Sequence, residues 1–312
     1  MGKVAFLFPG QGSQAVGMGQ QLKEADGDCA DLFEQANAAL GDDLTGLMFN
    51  GPEEELTLTR NTQPALVVTA MAAYTLVRKH SDIQPAFVAG HSLGEYAAIC
   101  AAGGLSFADA VRLTRLRGDA MQKAVPVGVG AMAAMLNMDA AVVEEVCQAA
   151  REELGKACVP ANYNNPSQIV ISGDKAAVER AVVLAKEKGA KRCVMLPVSA
   201  PFHCPLMQPA ADAMEAALAK TTMNNLTIPL VANVNAAVTT DAEMVRKQLV
   251  EQVCGSVRWE DSIRAMIAQG VDTFVEIGTG KVLTGMLRRI DKGVKGVTIN
   301  GPDDLTSLAD LG

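Results

Sequence analysis

Two apolar rhythms alternate along the 312-residue chain, short unbroken runs and longer stretches of helical period. Residues 4–8 form a run stopped by Pro9-Gly10, the pattern of a strand buried on both faces that enters a glycine loop. Helical spacing follows over 31–40 and 63–80, a second short run over 86–89, and a helix over 93–102 directly behind it. Short buried strands alternating with longer helices predict an α/β fold, a parallel sheet covered on both faces. From about residue 128 the rhythm changes to strand 131–138, helix 140–154, strands 158–163 and 168–172 around the turn 164–167, helix 176–188 and strand 192–198. That β-α-β-β-α-β order predicts an inserted small ferredoxin-like α+β subdomain over 128–198, with Pro126 and Pro197 near its edges. The large domain then comprises 1–127 and 199–312. Its second part holds helix 206–220, strand 228–232, helix 242–253 and strand 273–277, and the tail after Asn300 reads as partly mobile.

Composition narrows the picture. Hydrophobic residues make up 49% and charged residues 20%, enough for a substantial core, and with only 4% aromatics that core is aliphatic. Stacking platforms for bases are not expected, and a formal net charge of −8 argues against a nucleic-acid backbone as partner. The seven cysteines form no C-x-x-C pair and have no metal-ligand spacing to the three histidines, so free thiols in a reducing cytoplasm and no metal are expected. No signal-peptide pattern precedes the first strand and no apolar stretch reaches spanning length, so no membrane association is expected either.

Gly90-His91-Ser92-Leu93-Gly94 fits G-x-S-x-G, in which a serine sits on a strained strand-to-helix turn and the flanking glycines allow close backbone packing. The pattern alone would occur in about one chain in ten of this length. Here a strand leads in and a helix leads out, which makes Ser92 the candidate nucleophile. It needs a base. His91 adjoins Ser92, where such a turn points it away from the hydroxyl, and His80 sits at a solvated helix end. His203, in the proline-bounded loop 199–205, remains by elimination and suits a hydrolase-like chain order. No acid stands out among Asp109, Asp119 and Asp174, so a backbone carbonyl or an amide side chain is expected to orient the histidine. Gln11 lies between two glycines in Phe8-Pro9-Gly10-Gln11-Gly12-Ser13-Gln14. If that loop flanks the serine turn, the N–H groups of Gln11 and Leu93 can form an oxyanion hole. Arg112, Arg115 and Arg117 share one helix, where arginines ordinarily form a solvated face. Arg117 differs in having the apolar Met121 one turn on, and a buried guanidinium there would want a planar anion such as a carboxylate.

Taken together, the loop from Phe8 to Gln14, Gly90-His91-Ser92-Leu93-Gly94-Glu95-Tyr96, Arg117 and Phe202-His203 resemble the malonyl-CoA:acyl carrier protein transacylases of type II fatty acid synthesis. The likeness spans nearly the whole chain. It implies a hydrolase-like α/β core with a ferredoxin-like subdomain, Ser92 as nucleophile, His203 as base, an oxyanion hole from the Gln11 and Leu93 amides, and Arg117 holding the substrate carboxylate. It also implies that the main-chain carbonyl of Gln252 orients His203, and it adds Met121, Phe202, His91 and Asn162 to the substrate side, with Asn164 near the cleft. Bacterial members often carry Ser where this chain has Phe202.

The implied reaction is ping-pong transfer of malonyl from malonyl-CoA to the phosphopantetheine thiol of acyl carrier protein, by a monomer without a cofactor. An acidic carrier requires a local cationic rim, for which Lys186, Lys188, Lys191 and Arg192, or Arg288, Arg289 and Lys292, are candidates. Two other functions use the same features. A serine esterase or thioesterase would employ Ser92 and His203 with water as acceptor, and a carrier-binding module would employ neither. The phenyl ring of Phe202 leaves little room for an α-methyl group on the acyl chain. Phe202→Ser should therefore shift relative turnover toward methylmalonyl-CoA by about 1–3 kcal/mol. A malonyl-to-methylmalonyl ratio equal to the parent's would count against steric exclusion.

Overall fold

The computed structural model describes residues 2–198 and 200–311. The chain opens with β1 (Lys3–Phe8), buried on both faces beyond Lys3. Five helices follow: α1 (Gln20–Ala25), α2 (Gly27–Leu40), α3 (Leu44–Asn50), α4 (Glu53–Thr57) and α5 (Thr59–His80). Asp26 starts α2 by accepting from the Asp28 and Cys29 amides, and Gly41, at φ 68°, ends it. Next come β2 (Phe87–Gly90), α6 (Gly94–Ala101) and α7 (Phe107–Ala124), the last capped by the Ser106 hydroxyl. The insertion runs β3 (Gly130–Leu136), α8 (Ala140–Leu154), β4 (Cys158–Asn165), β5 (Gln168–Asp174), α9 (Lys175–Glu187) and β6 (Arg192–Met195). The remainder is α10 (Gln208–Leu218), β7 (Leu230–Val231), β8 (Val238–Thr239), α11 (Ala242–Cys254), α12 (Trp259–Ala268), β9 (Val271–Ile277), α13 (Val282–Ile290) and β10 (Lys295–Ile299).

Two sheets result. The large one has the order β10-β9-β1-β2-β7-β8, parallel except for the β7–β8 pair. Helices cover both of its faces. A large apolar cluster centred on α5 lies on one side, and a smaller one with Trp259, Ile263 and Leu283 lies on the other. The small sheet is antiparallel with the order β4-β5-β3-β6, so its strands run second, third, first, fourth in the insertion's own sequence. One face of it packs on α8 and α9. The other presents Met132, Ala134, Ala161 and Val170 toward Leu196, Val198 and Phe202. This is the parallel α/β core with a ferredoxin-like subdomain that the apolar rhythm indicates, and the family resemblance implied its hydrolase-like form.

Several local expectations need correction. Asn164 and Asn165 stay on β4, so the hairpin turn narrows to Pro166-Ser167. The strand expected over 192–198 is regular only to Met195, because Pro197 has no N–H for the ladder, although the Leu196 amide still reaches the Met132 carbonyl at 2.9 Å. Only Leu230–Val231 of the run 228–232 pairs, and the edge strand β8 carried no apolar signal. The helix expected from 206 opens as a 3-10 turn, Pro205–Met207. The tail is not loose: Pro302–Leu311 is a 3-10 helix with Leu308 buried, and Asp304 accepts from the Asn300 and Gly301 amides. Ser199, the first residue of the loop expected to carry His203, lies outside the described residues.

The register of β1 on β2 positions the site. Phe8 pairs with Gly90, so the loop after β1 and the turn after β2 leave the same edge of the sheet side by side, at the carboxyl ends of parallel strands. A Cβ on Gly94 would lie 2.2 Å from the Phe8 carbonyl oxygen, and one on Gly90 would lie 2.0 Å from the Gly94 carbonyl carbon. Only glycine fits at either place. Gly94→Ala should cost about 1–3 kcal/mol, read as a lower urea midpoint at unchanged m-value. An unshifted midpoint would mean that the backbone yields there.

Candidate active site

Ser92 occupies the turn between β2 and α6 with φ 52°, a left-handed conformation that a non-glycine side chain adopts only when its surroundings enforce it. Asn233, just past β7, does so. Its Oδ1 accepts from the Ser92 amide at 2.7 Å and its Nδ2 donates to the Gly90 carbonyl at 2.7 Å. Ser92 Oγ then lies 2.7 Å from His203 Nε2.

His203, also left-handed at φ 57°, is 3% exposed. Its Nδ1 faces two carbonyls, Gln252 at 2.8 Å and Gly255 at 3.2 Å. Both can only accept, so Nδ1 carries the proton and Nε2 offers its lone pair to the Ser92 hydroxyl. Burial, and next the Arg117 charge, lower the His203 pKa to about 3, which keeps the imidazole neutral. Asp109 accepts from the Ser106 hydroxyl on the first turn of α7, Asp119 pairs with Arg60 and Asp174 accepts from the Ala157 amide.

Arg117 projects from α7 and is 1% exposed. Its Nη1 donates to Gln63 Oε1 at 2.9 Å, and its Nη2 donates to Gln252 Oε1 at 2.7 Å and Ser92 Oγ at 3.1 Å. Arg112 and Arg115 turn elsewhere, Arg115 pairing with Asp42. Gln11, His91, Ser92, Leu93, Arg117, Met121, Asn162, Phe202 and His203 line a single cavity of about 410 Å3, whose far wall is Met132, Ala134, Val170, Leu196 and Val198. Of the expected site residues, only Gln252 lies outside this lining, holding His203 and Arg117 from behind. Among the described residues no acceptor takes the Gln11 or Leu93 amide. His91 does turn away from the hydroxyl. Its Nε2 donates to Asn164 Oδ1 at 2.9 Å and its ring packs on Trp259, while burial lowers its pKa.

Four contributions had no clear signal in sequence: Asn233, Gln63, the Gln252 side chain and Glu95. Glu95 is the one charge in the otherwise apolar helix α6, a hint of burial that does not say which groups it meets. Asn233 is a lone polar residue straight after a strand, which many loops share. Among the described residues no group of His, Cys, Asp and Glu could hold a metal ion, and no helix is long and apolar enough to cross a membrane.

A hydrolase-like core, a ferredoxin-like insertion and a Ser–His pair where they meet are features of α/β enzymes that handle acyl groups. Residues 5–301 match the family model described as the acyl transferase domain. The malonyl CoA-acyl carrier protein transacylase of Bacillus subtilis is 48% identical over 98% of this chain and 96% of its own. Among solved structures, an acyl-carrier-protein S-malonyltransferase from Bartonella henselae superposes with a TM-score of 0.96 at 48% identity, covering 99% of each chain. A malonyl-transacylase solved in complex with its type II PKS acyl-carrier protein gives 0.96 at 40% identity, over 99% of this chain and 100% of that one. The chain belongs to the acyl transferase family, among the malonyl CoA-acyl carrier protein transacylases.

The His203 imidazole, with its pKa lowered to about 3 by burial and by Arg117, stays deprotonated through the mildly acidic range. The acylation kcat/KM should accordingly show no loss attributable to His203 between pH 7.5 and about 5.5, since the ordinary value near 6.5 no longer applies. A half-maximal point near 6.5 that follows His203 in NMR titration would contradict this.

Proposed function

We propose that the protein transfers the malonyl group of malonyl-CoA to the phosphopantetheine thiol of an acyl carrier protein through a malonyl ester on Ser92, supplying the extender unit for fatty acid synthesis. One observation carries the reading: a buried guanidinium lies 3.1 Å from a hydroxyl that also lies 2.7 Å from a histidine. A cation there has no use for an uncharged acyl group, whereas a malonyl thioester brings a free carboxylate two bonds from the reacting carbonyl.

In the first half-reaction His203 Nε2 takes the Ser92 proton as Oγ attacks the thioester carbon. The developing oxyanion is received by the Gln11 and Leu93 amides, each such donor being worth about 2.7–4 kcal/mol. The malonyl carboxylate takes over the Arg117 donor that Ser92 Oγ holds in the free enzyme. His203 then gives its proton to the departing CoA sulfur. In the second half the carrier's thiol loses its proton to His203 and attacks the ester carbonyl, and His203 hands that proton to the departing Ser92 Oγ, which restores the free hydroxyl and the neutral imidazole. Every group in this sequence comes from one chain, in keeping with a monomer, and no cofactor is needed.

For the carrier, the α13 side of the cavity is the better supported of the two cationic rims. Val282 and Met286 reach the cavity and Arg288 and Arg289 follow on the same helix, Arg289 lying 3.3 Å from Ser167 at the subdomain's hairpin. In the alternative cluster Lys188 is already paired with Glu145. The seven free thiols suit a reducing cytoplasm.

The test is an intact mass after brief mixing with malonyl-CoA, with peptide mapping, followed by holo carrier protein. One malonyl group on the Ser92 peptide that then moves to the carrier is expected. Malonate release at a rate indifferent to carrier would point to an esterase instead. In the same assay Arg117→Ala should reduce malonyl loading by about 1.5–3 kcal/mol more than acetyl loading, the worth of hydrogen bonds to a charged group. Equal losses would remove the carboxylate role from Arg117.

A further inference from the structure

Glu95 is a carboxylate 1% exposed on the first turn of α6, and it touches no cation directly. Its Oε1 accepts from the Asn233 amide at 2.9 Å, and its Oε2 from Gln252 Nε2 at 2.5 Å. That same Nε2 donates to the Ser92 carbonyl at 2.8 Å, while the Gln252 oxygen accepts from Arg117 Nη2 at 2.7 Å. The amide has only one sensible orientation. Its nitrogen faces a carbonyl and a carboxylate, its oxygen faces a guanidinium, and a flip would oppose like groups on both sides.

The result is a relay of carboxylate, amide and guanidinium. A buried arginine needs negative charge nearby, and a direct bidentate carboxylate would supply it while occupying the very edge that a substrate carboxylate must use. Placing a neutral amide between Glu95 and Arg117 compensates the charge and leaves that edge open. Burial raises the Glu95 pKa to about 7, while the Asn233 and Gln252 donors and the Arg117 charge favour its ionised form.

We propose that Glu95, acting through the Gln252 side chain, is a positioning residue that holds Arg117 aimed at the Ser92 hydroxyl, and that this relay sets the preference for carboxylated over plain acyl thioesters. The proposal rests on the reading of Ser92 and Arg117 given above.

The experiment compares loading of Ser92 from malonyl-CoA and from acetyl-CoA in the parent, Glu95→Gln and Gln252→Leu. The leucine variant keeps the main-chain carbonyl that faces His203 and removes the relay together with the Nε2 bond to the Ser92 carbonyl. Both variants should raise the malonyl KM by about tenfold or more, with a smaller fall in kcat, and should lower the malonyl-to-acetyl ratio of kcat/KM by a similar factor. In an Arg117→Ala background, Glu95→Gln should leave that ratio where Arg117→Ala alone puts it, because a group acting through Arg117 has nothing left to position. Parallel losses on both substrates, or an effect of Glu95→Gln that persists without Arg117, would overturn the relay. If Glu95→Gln does not fold, Gln252→Leu decides alone, and if neither folds the pair is a folding element and the proposal fails. Absence of a malonyl adduct on the parent protein would instead remove the underlying function.

Discussion

A guanidinium sealed from water beside a reactive hydroxyl is the constraint around which the cleft is arranged. Arg117 is 1% exposed, and an isolated charge so placed would be prohibitively costly. Its neighbours answer this with dipoles first: the amide oxygens of Gln63 and Gln252 and the Ser92 hydroxyl. A carboxyl group, that of Glu95, stands one amide further away. The same constraint explains why His203 is oriented by two carbonyls and not by an acid. A carboxylate behind the imidazole would compete for Arg117, and it would favour the protonated histidine, which burial and Arg117 here disfavour. A cleft compensated by dipoles stays attractive to an anion.

The serine turn depends on backbone contact closer than any side chain permits. Phe8 and Gly90 end level on adjacent parallel strands, and Gly94 rests against the Phe8 carbonyl. This brings Gln11 and Leu93 together in the lining of the cavity. Asn233 bonds to both limbs of the turn and holds Ser92 in its left-handed conformation. Strand order thus becomes site geometry without any long-range flexibility.

The inserted subdomain supplies the opposite wall. One face of its sheet meets α8 and α9, and the other lines the cavity with Met132, Ala134 and Val170. It is tied to the core by the exchange of the Ala161, Tyr163 and Val257 backbone groups and by the bond from His91 to Asn164. The apolar wall lowers the local dielectric around Arg117 and Ser92, which strengthens both contacts.

Most of the expected cavity lining came through a family likeness. The sequence by itself determined most of the elements, the α/β class, the ferredoxin-like order of the insertion and the candidate pair Ser92 and His203. These follow from local causes: apolar period, proline and glycine punctuation, and residue types that suit only certain chemistry. Gln252 entered as a backbone carbonyl on the strength of a family likeness, not of any local signal. Only the tertiary structure decided that the Gln252 side chain bridges Glu95 to Arg117, that Asn233 braces the turn, and that the tail forms an ordered helix. These contacts join residues separated by 135 to 157 positions at Gln252 and by 141 at Asn233. Periodicity reports which face of an element is buried. It carries no information about which distant polar group will meet a buried polar atom, because that pairing arises only when strands and helices have packed.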